Sequence, residues 1–151
     1  MVSLVDRIFH LLEPYALELN RVNALRDLHL SSQPPSVSTE ASEYDHMRRP
    51  GRTVTYYRAR FSTGRFSLVI RGIGGRIDFF MIPTDRIMGL SRIEGETAPL
   101  MTFAASEEDN PSGFNDNWVV EGKLLNADRL ERFSLLALEH LLDRTQEDIT
   151  R

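Results

Sequence analysis

Three runs in residues 53–83 decide the fold. Thr53-Val54-Thr55-Tyr56-Tyr57-Arg58-Ala59-Arg60-Phe61 is rich in β-branched and aromatic residues and reads as a strand. Ser62-Thr63-Gly64-Arg65 is a turn, after which Phe66, Leu68 and Ile70 alternate with Ser67, Val69 and Arg71. Gly72-Ile73-Gly74-Gly75 turns the chain again, Ile77, Phe79 and Met81 alternate with Asp78, Phe80 and Ile82, and Pro83 ends the run. Period-two alternation between Gly-bearing turns predicts a three-stranded antiparallel meander with one face toward a core.

The flanks predict what covers that face. Leu4, Ile8, Leu11, Leu12, Tyr15, Leu19, Val22 and Leu25 recur at three- and four-residue steps, predicting a helix over 3–28 with Ser3 as N-cap and Asp6 favouring its positive end. Pro14 lacks an N–H and clashes with the preceding turn, so a bend or break near Glu13 is expected. Residues 31–52 crowd Ser and Pro with few large apolar groups, and read as a flexible connection that buries too little to offset its ordering entropy. Residues 84–96 leave a helical turn or a short strand open. Pro99–Ala105 reads as a fourth strand, Glu107–Asn117 as an acidic loop, and Trp118–Leu125 as a fifth strand. Asn126 then caps a helix whose Leu130, Phe133, Ala137, Leu138, Leu141 and Leu142 form an apolar face. The expected architecture is one α+β domain over 1–151, an antiparallel sheet of about five strands packed by N- and C-terminal helices. Phe79, Phe80, Phe103 and Trp118 are expected core residues.

Composition narrows the function classes. The chain has 151 residues, 22 acidic and 18 basic side chains, and no cysteine. Thiol nucleophiles, disulfide scaffolds and thiolate zinc sites are therefore excluded. No apolar run approaches the ~20 residues that span a bilayer, and the early Asp6-Arg7 pair is unlike a secretory leader, so the expectation is a cytoplasmic protein with no membrane partner. His10, His29, His46 and His140 lack metal-ligand spacing; His140 is read as a dipole partner near a helix C-terminus. No cofactor is implied.

The net charge of −4 conceals segregation: eight arginines and no acid lie between Arg48 and Ile77, a +8 block inside a −12 remainder. Arg58, Arg60, Arg65, Arg71 and Arg76 fall on or beside adjoining strands, with Tyr56 and Tyr57 close by. Guanidinium forks suit carboxylates and phosphates, which marks an anion- or partner-binding surface. An acidic protein segment and nucleic acid both fit, the tyrosines serving in the latter as stacking platforms. The alternative is self-neutralisation by the chain's own acids, Glu107, Glu108 and Asp109 among them.

A second constellation is Asp78 on the third strand with Glu121-Gly122-Lys123 on the fifth, where Lys123 is the only lysine of the chain. It is similar to the core of the PD-(D/E)xK nucleases. That resemblance implies carboxylates holding a divalent metal, an acid such as Glu18 from the first helix joining them, and a lysine positioning the attacking water. The preceding proline of that motif is absent, and Asp78 has Arg76 and Arg86 as alternative partners.

The order of elements, with the junction Leu124-Leu125-Asn126-Ala127-Asp128-Arg129-Leu130-Glu131-Arg132-Phe133, resembles the class I type III secretion chaperones and the related YbjN-like domains. Those have a helix, three strands, a short helix, two strands and a last helix. The resemblance implies a cofactor-free, non-enzymatic homodimer that binds a partner's protein segment along its surface. The Ser/Pro stretch and the Arg-bearing strands depart from that pattern.

Overall fold

The computed structural model describes residues 3–23, 26–41, 53–89, 97–105 and 118–150. The elements are α1 (Leu4–Val22), a 3-10 turn (Arg26–Leu28), β1 (Ser31–Ala41), β2 (Thr53–Ser62), β3 (Phe66–Ile73), β4 (Arg76–Pro83), a second 3-10 helix (Thr84–Gly89), β5 (Met101–Ala105), β6 (Trp118–Val120), β7 (Lys123–Leu124) and α2 (Ala127–Ile149). The strands form one antiparallel meander in the spatial order β1 to β7. The α+β architecture with terminal helices is as expected, but the described residues form seven strands rather than about five.

The two additional strands have separate causes. Ser31–Ala41, expected within a flexible connection, is an edge strand paired with β2 from Ser31↔Ser62 to Ala41↔Thr53. It lies at the rim of the sheet and has little apolar surface to bury, so ladder hydrogen bonds rather than hydrophobic alternation carry it. Residues 42–52 of the expected connection lie outside the described residues. The expected fifth strand is instead a hairpin. Val120 pairs with Lys123 around Glu121 and Gly122, whose φ angles of 51° and 79° are both left-handed. Positive φ at both central residues is what a tight two-residue hairpin demands.

Both helices pack on the same sheet face. The core joins Leu4, Val5, Ile8, Phe9, Leu12 and Ala16 of α1 and Leu130, Ala137, Leu138 and Leu141 of α2 to Ala59, Phe61, Leu68, Ile70, Ile77, Phe79 and Phe103 of the sheet. Phe9 stacks on Phe61 at 5.3 Å between centroids, and Phe79 meets Phe103 edge-on at 5.1 Å. Each such side chain contributes roughly 1.5–3 kcal/mol by leaving water. Trp118 is half-buried against this core, whereas Phe80 belongs to a second buried cluster, with Val69 and Ile82. That cluster occupies the opposite face, so the central strands are apolar on both sides.

Helix ends follow the sequence signals. Ser3 and Asp6 form a capping box, and Asn126 Oδ1 accepts from Arg129 N at 2.8 Å. The first helix is shorter than expected, ending at Val22, and it runs unbroken through Pro14. Pro14 and His10 are both exposed, so water can reach the His10 carbonyl that loses its partner, while Leu12 and Ala16 hold both flanking turns to the core. His140 lies well inside α2, which continues to Ile149, so the expected dipole role does not apply. The 3-10 helix Thr84–Gly89 realises the helical turn left open for 84–96; residues 90–96 and the acidic loop through Asn117 lie outside the described residues. No helix among the described residues is long and apolar enough to cross a membrane.

Candidate anion-binding face

Antiparallel register places Ser36, Arg58, Arg71, Asp78 and Thr102 in one row across β1 to β5. Their neighbours in sequence (Ala59, Ile70, Phe79) enter the helix-covered core, so alternation turns this row to the other face. Asp78 is fully buried there and accepts from Arg71 Nη2 at 3.0 Å, Arg76 Nε at 2.9 Å and Thr102 Oγ1 at 2.7 Å. Burial alone would raise its carboxyl pKa, but the hydrogen bonds from Thr102, Arg76 and Arg71 outweigh it and hold the group below the ordinary value. Asp78 is therefore ionised at neutral pH and orients two guanidiniums.

Aromatic rings complete the positioning. The Arg58 guanidinium carbon lies 4.5 Å from the centre of the Tyr56 ring; that of Arg71 lies 5.3 Å from Tyr56 and 4.8 Å from Phe80. Planar cations on aromatic faces lose less freedom when they engage an anion. Arg71 is largely buried, with 16% of its side chain exposed, whereas Arg76 is 57% exposed and can present its remaining donors outward. Arg71 and Arg76 flank the Asp78 carboxylate, and Arg58 and Arg60 of β2 lie on the same face toward the β1 edge.

The structure thus brings together Tyr56, Arg58, Arg60, Arg71 and Arg76, and separates two other expected members. Tyr57 points to the helix side, where its hydroxyl donates to Asp6 Oδ1 at 2.6 Å. This bond raises the Tyr57 pKa; for Asp6, burial opposes but the bonds from Tyr57 and Ser3 prevail and lower it. Arg65 sits in the β2–β3 turn and pairs with Asp148 at 2.9 Å and Asp27 at 3.8 Å, so it ties the turn to α2. Self-neutralisation holds for Arg65, and Arg71 and Arg76 share Asp78; Glu107, Glu108 and Asp109 lie outside the described residues.

The nuclease constellation meets a different geometry. Asp78 is enclosed by two arginines and a threonine, Glu121 occupies the turn and not a strand, and Glu18 pairs with Arg21 at 2.7 Å on the exposed side of α1. Lys123 is exposed at the start of β7. Among the described residues no three His, Asp or Glu side chains gather as a metal-holding group.

Sequence reasoning missed Thr102, Gln33 and Ser36. Thr102 carried a usable signal, since a small hydroxyl residue lies centrally in the predicted fourth strand. Gln33 and Ser36 had none once their segment was read as a connection.

No protein-family model, no curated protein and no solved structure matches the chain. Fold and site together define a class only: an α+β meander domain with helices on one sheet face and an ordered guanidinium cluster on the other.

Proposed function

We propose that this domain is a non-enzymatic binding module that takes an acidic segment of a partner protein along the sheet face opposite α1 and α2. The observation that carries the reading is the Arg71–Asp78–Arg76 cluster, in which a buried carboxylate holds two guanidiniums in place ahead of any ligand. Preorganised forks engage carboxylates with less loss of side-chain entropy than free surface arginines. Two features favour an acidic protein over nucleic acid. Tyr56 already carries guanidiniums, and Tyr57 is on the other face, so the pair offers no open platform for bases. The overall charge of −4 also weighs more heavily against a nucleic acid, with a charge on every phosphate, than against a short acidic segment.

The reading includes a homodimer, supported by the exposed Leu17 and Val22 on α1 and Leu136 on α2; sedimentation showing only a monomer removes that element. The test of binding is anisotropy titration of a labelled Asp/Glu-rich peptide and, separately, of a single-stranded oligonucleotide. The peptide is expected to bind and to weaken roughly tenfold with Arg76→Gln, a loss of about 1.4 kcal/mol. An oligonucleotide that binds more tightly, with a steep salt dependence, would replace this reading by the nucleic-acid one.

A further inference from the structure

The edge of the same face contains a second feature that the Asp78 cluster does not explain. In β1, Gln33 lies opposite Arg60 and Ser36 opposite Arg58, so Pro34 and Pro35 together face the single residue Ala59. This is a β-bulge. Neither proline has an N–H to donate, so the ladder opens and β1 bends away locally. The gap is a cavity of about 140 Å³ lined by Gln33, Pro34, Ser36, Arg58, Arg60 and Val69.

Three of its polar side chains, Arg60, Gln33 and Ser36, matter for what it could hold. Arg60 is half-buried, yet no described residue gives it a hydrogen bond or an ion pair; the side chains of Gln33 and Ser36 are likewise unbonded to described residues. Val69, 1% exposed, supplies an apolar wall. A guanidinium half out of water, with no counter-anion among the described residues, beside a side-chain amide and a hydroxyl, offers forked, paired and single donors around one small space.

We propose that the Pro34–Pro35 bulge builds a receptor for one phosphoryl group, carried by a phosphorylated residue of the acidic segment and held by Arg60 with Gln33 and Ser36. Three terminal oxygens use three kinds of donor, whereas a carboxylate has two and is satisfied by the arginine fork alone. The phosphopeptide source rests on the proposed function; the cavity itself does not. Nucleic acid is the less favoured source of the phosphoryl group, because Tyr56 is already covered.

Inorganic phosphate is the first probe, followed by amide chemical shifts on the intact chain. The expected result is saturable shifts at Gln33, Ser36, Arg60 and Val69 in the millimolar range, weakened at least roughly fivefold by Arg60→Gln. Gln33→Ala, a change at an exposed position that leaves the core untouched, should weaken binding in the same direction. The second probe is one peptide with either phosphoserine or glutamate at a single position. The phosphorylated form should bind roughly tenfold tighter to the unaltered protein and lose that advantage with Arg60→Gln.

Absence of saturable shifts, or equal phosphate affinity in Arg60→Gln and Gln33→Ala, overturns the cavity proposal even if the acidic peptide binds. Equal affinity of the two peptides overturns phosphoryl recognition. Phosphate binding that persists while both peptides fail sinks the acidic-segment reading and supports the cavity. An oligonucleotide that displaces phosphate more tightly than the phosphopeptide overturns the protein source.

Discussion

Arg71 and Asp78 face each other across β3 and β4, with Nη2 3.0 Å from Oδ2 and the carboxylate fully buried. Removing one partner of such a pair strands a charge. Asp78→Ala is therefore expected to cost about 3–5 kcal/mol, measured by denaturant unfolding. The double change Arg71→Met with Asp78→Leu should cost less than Asp78→Ala alone, because the largely buried cation is removed with its partner and only the more exposed Arg76 loses its carboxylate. Additive losses would show that the pair does not act as a unit.

Acid sensitivity follows from the same carboxylate. Asp78 and Asp6 are both held below the ordinary value of 3.8, so below that value the unfolded chain binds more protons than the folded one. Their contribution is fully present above pH 3.8 and is lost as pH falls through their lower folded-state values. Stability measured against pH should thus drop on the acid side, and more shallowly in Asp78→Asn. Tyr57→Phe should flatten the Asp6 share, because it removes the 2.6 Å hydroxyl bond.

Gly72 marks where α1 presses on the sheet. A Cβ there would come within 3.0 Å of Val5 Cγ2, and Val5 is itself 2% exposed and held by the core. Gly72→Ala should destabilise by about 1–3 kcal/mol through overpacking, visible as a lower denaturant midpoint with an unchanged slope. An unaltered midpoint would mean that α1 can shift to accept the methyl group.

Glu121 has φ of 51°, a conformation that costs an L-residue energy. Glu121→Gly should leave stability unchanged or raise it by up to about 1 kcal/mol, since relief of strain opposes the added chain entropy. A nuclease role for Glu121 predicts instead that this variant abolishes a divalent-metal-dependent cleavage, which an assay on single- and double-stranded substrates would reveal.

The legible and hidden parts of the fold differ in what holds them. The strands from Thr53 to Pro83 were readable because Ile70, Phe79 and their alternating partners enter a core, and because Gly64 and Gly74 mark the reversals. Helix starts were readable because capping is a local bond between near neighbours, as in Ser3 with Asp6. The edge strand β1 was hidden: its Ser/Pro side chains are mostly exposed, and pairing with β2 is a property of register, not composition. The β6–β7 turn was hidden for a related reason, since Glu-Gly lacks the Asn-Gly or Asp-Gly signature. Within the site, the arginines were visible as charge, but backbone alternation separates Tyr56 from Tyr57, and Arg65 is set apart from Arg71 by its place in the β2–β3 turn, where it pairs with Asp148. Asp78 was legible as a chemically interesting acid. Its role as the anchor of two guanidiniums depends on cross-strand neighbours that sequence spacing does not reveal.

The most direct test of the binding face is an amide chemical-shift titration of the intact protein with an Asp/Glu-rich peptide. Saturable changes at Arg58, Arg71, Arg76 and Thr102, with α1 and α2 unmoved and the response lost in Arg76→Gln, are the predicted result. Changes confined to the helices, or a response unaltered by Arg76→Gln, would contradict an acidic-segment site on the sheet face opposite α1 and α2.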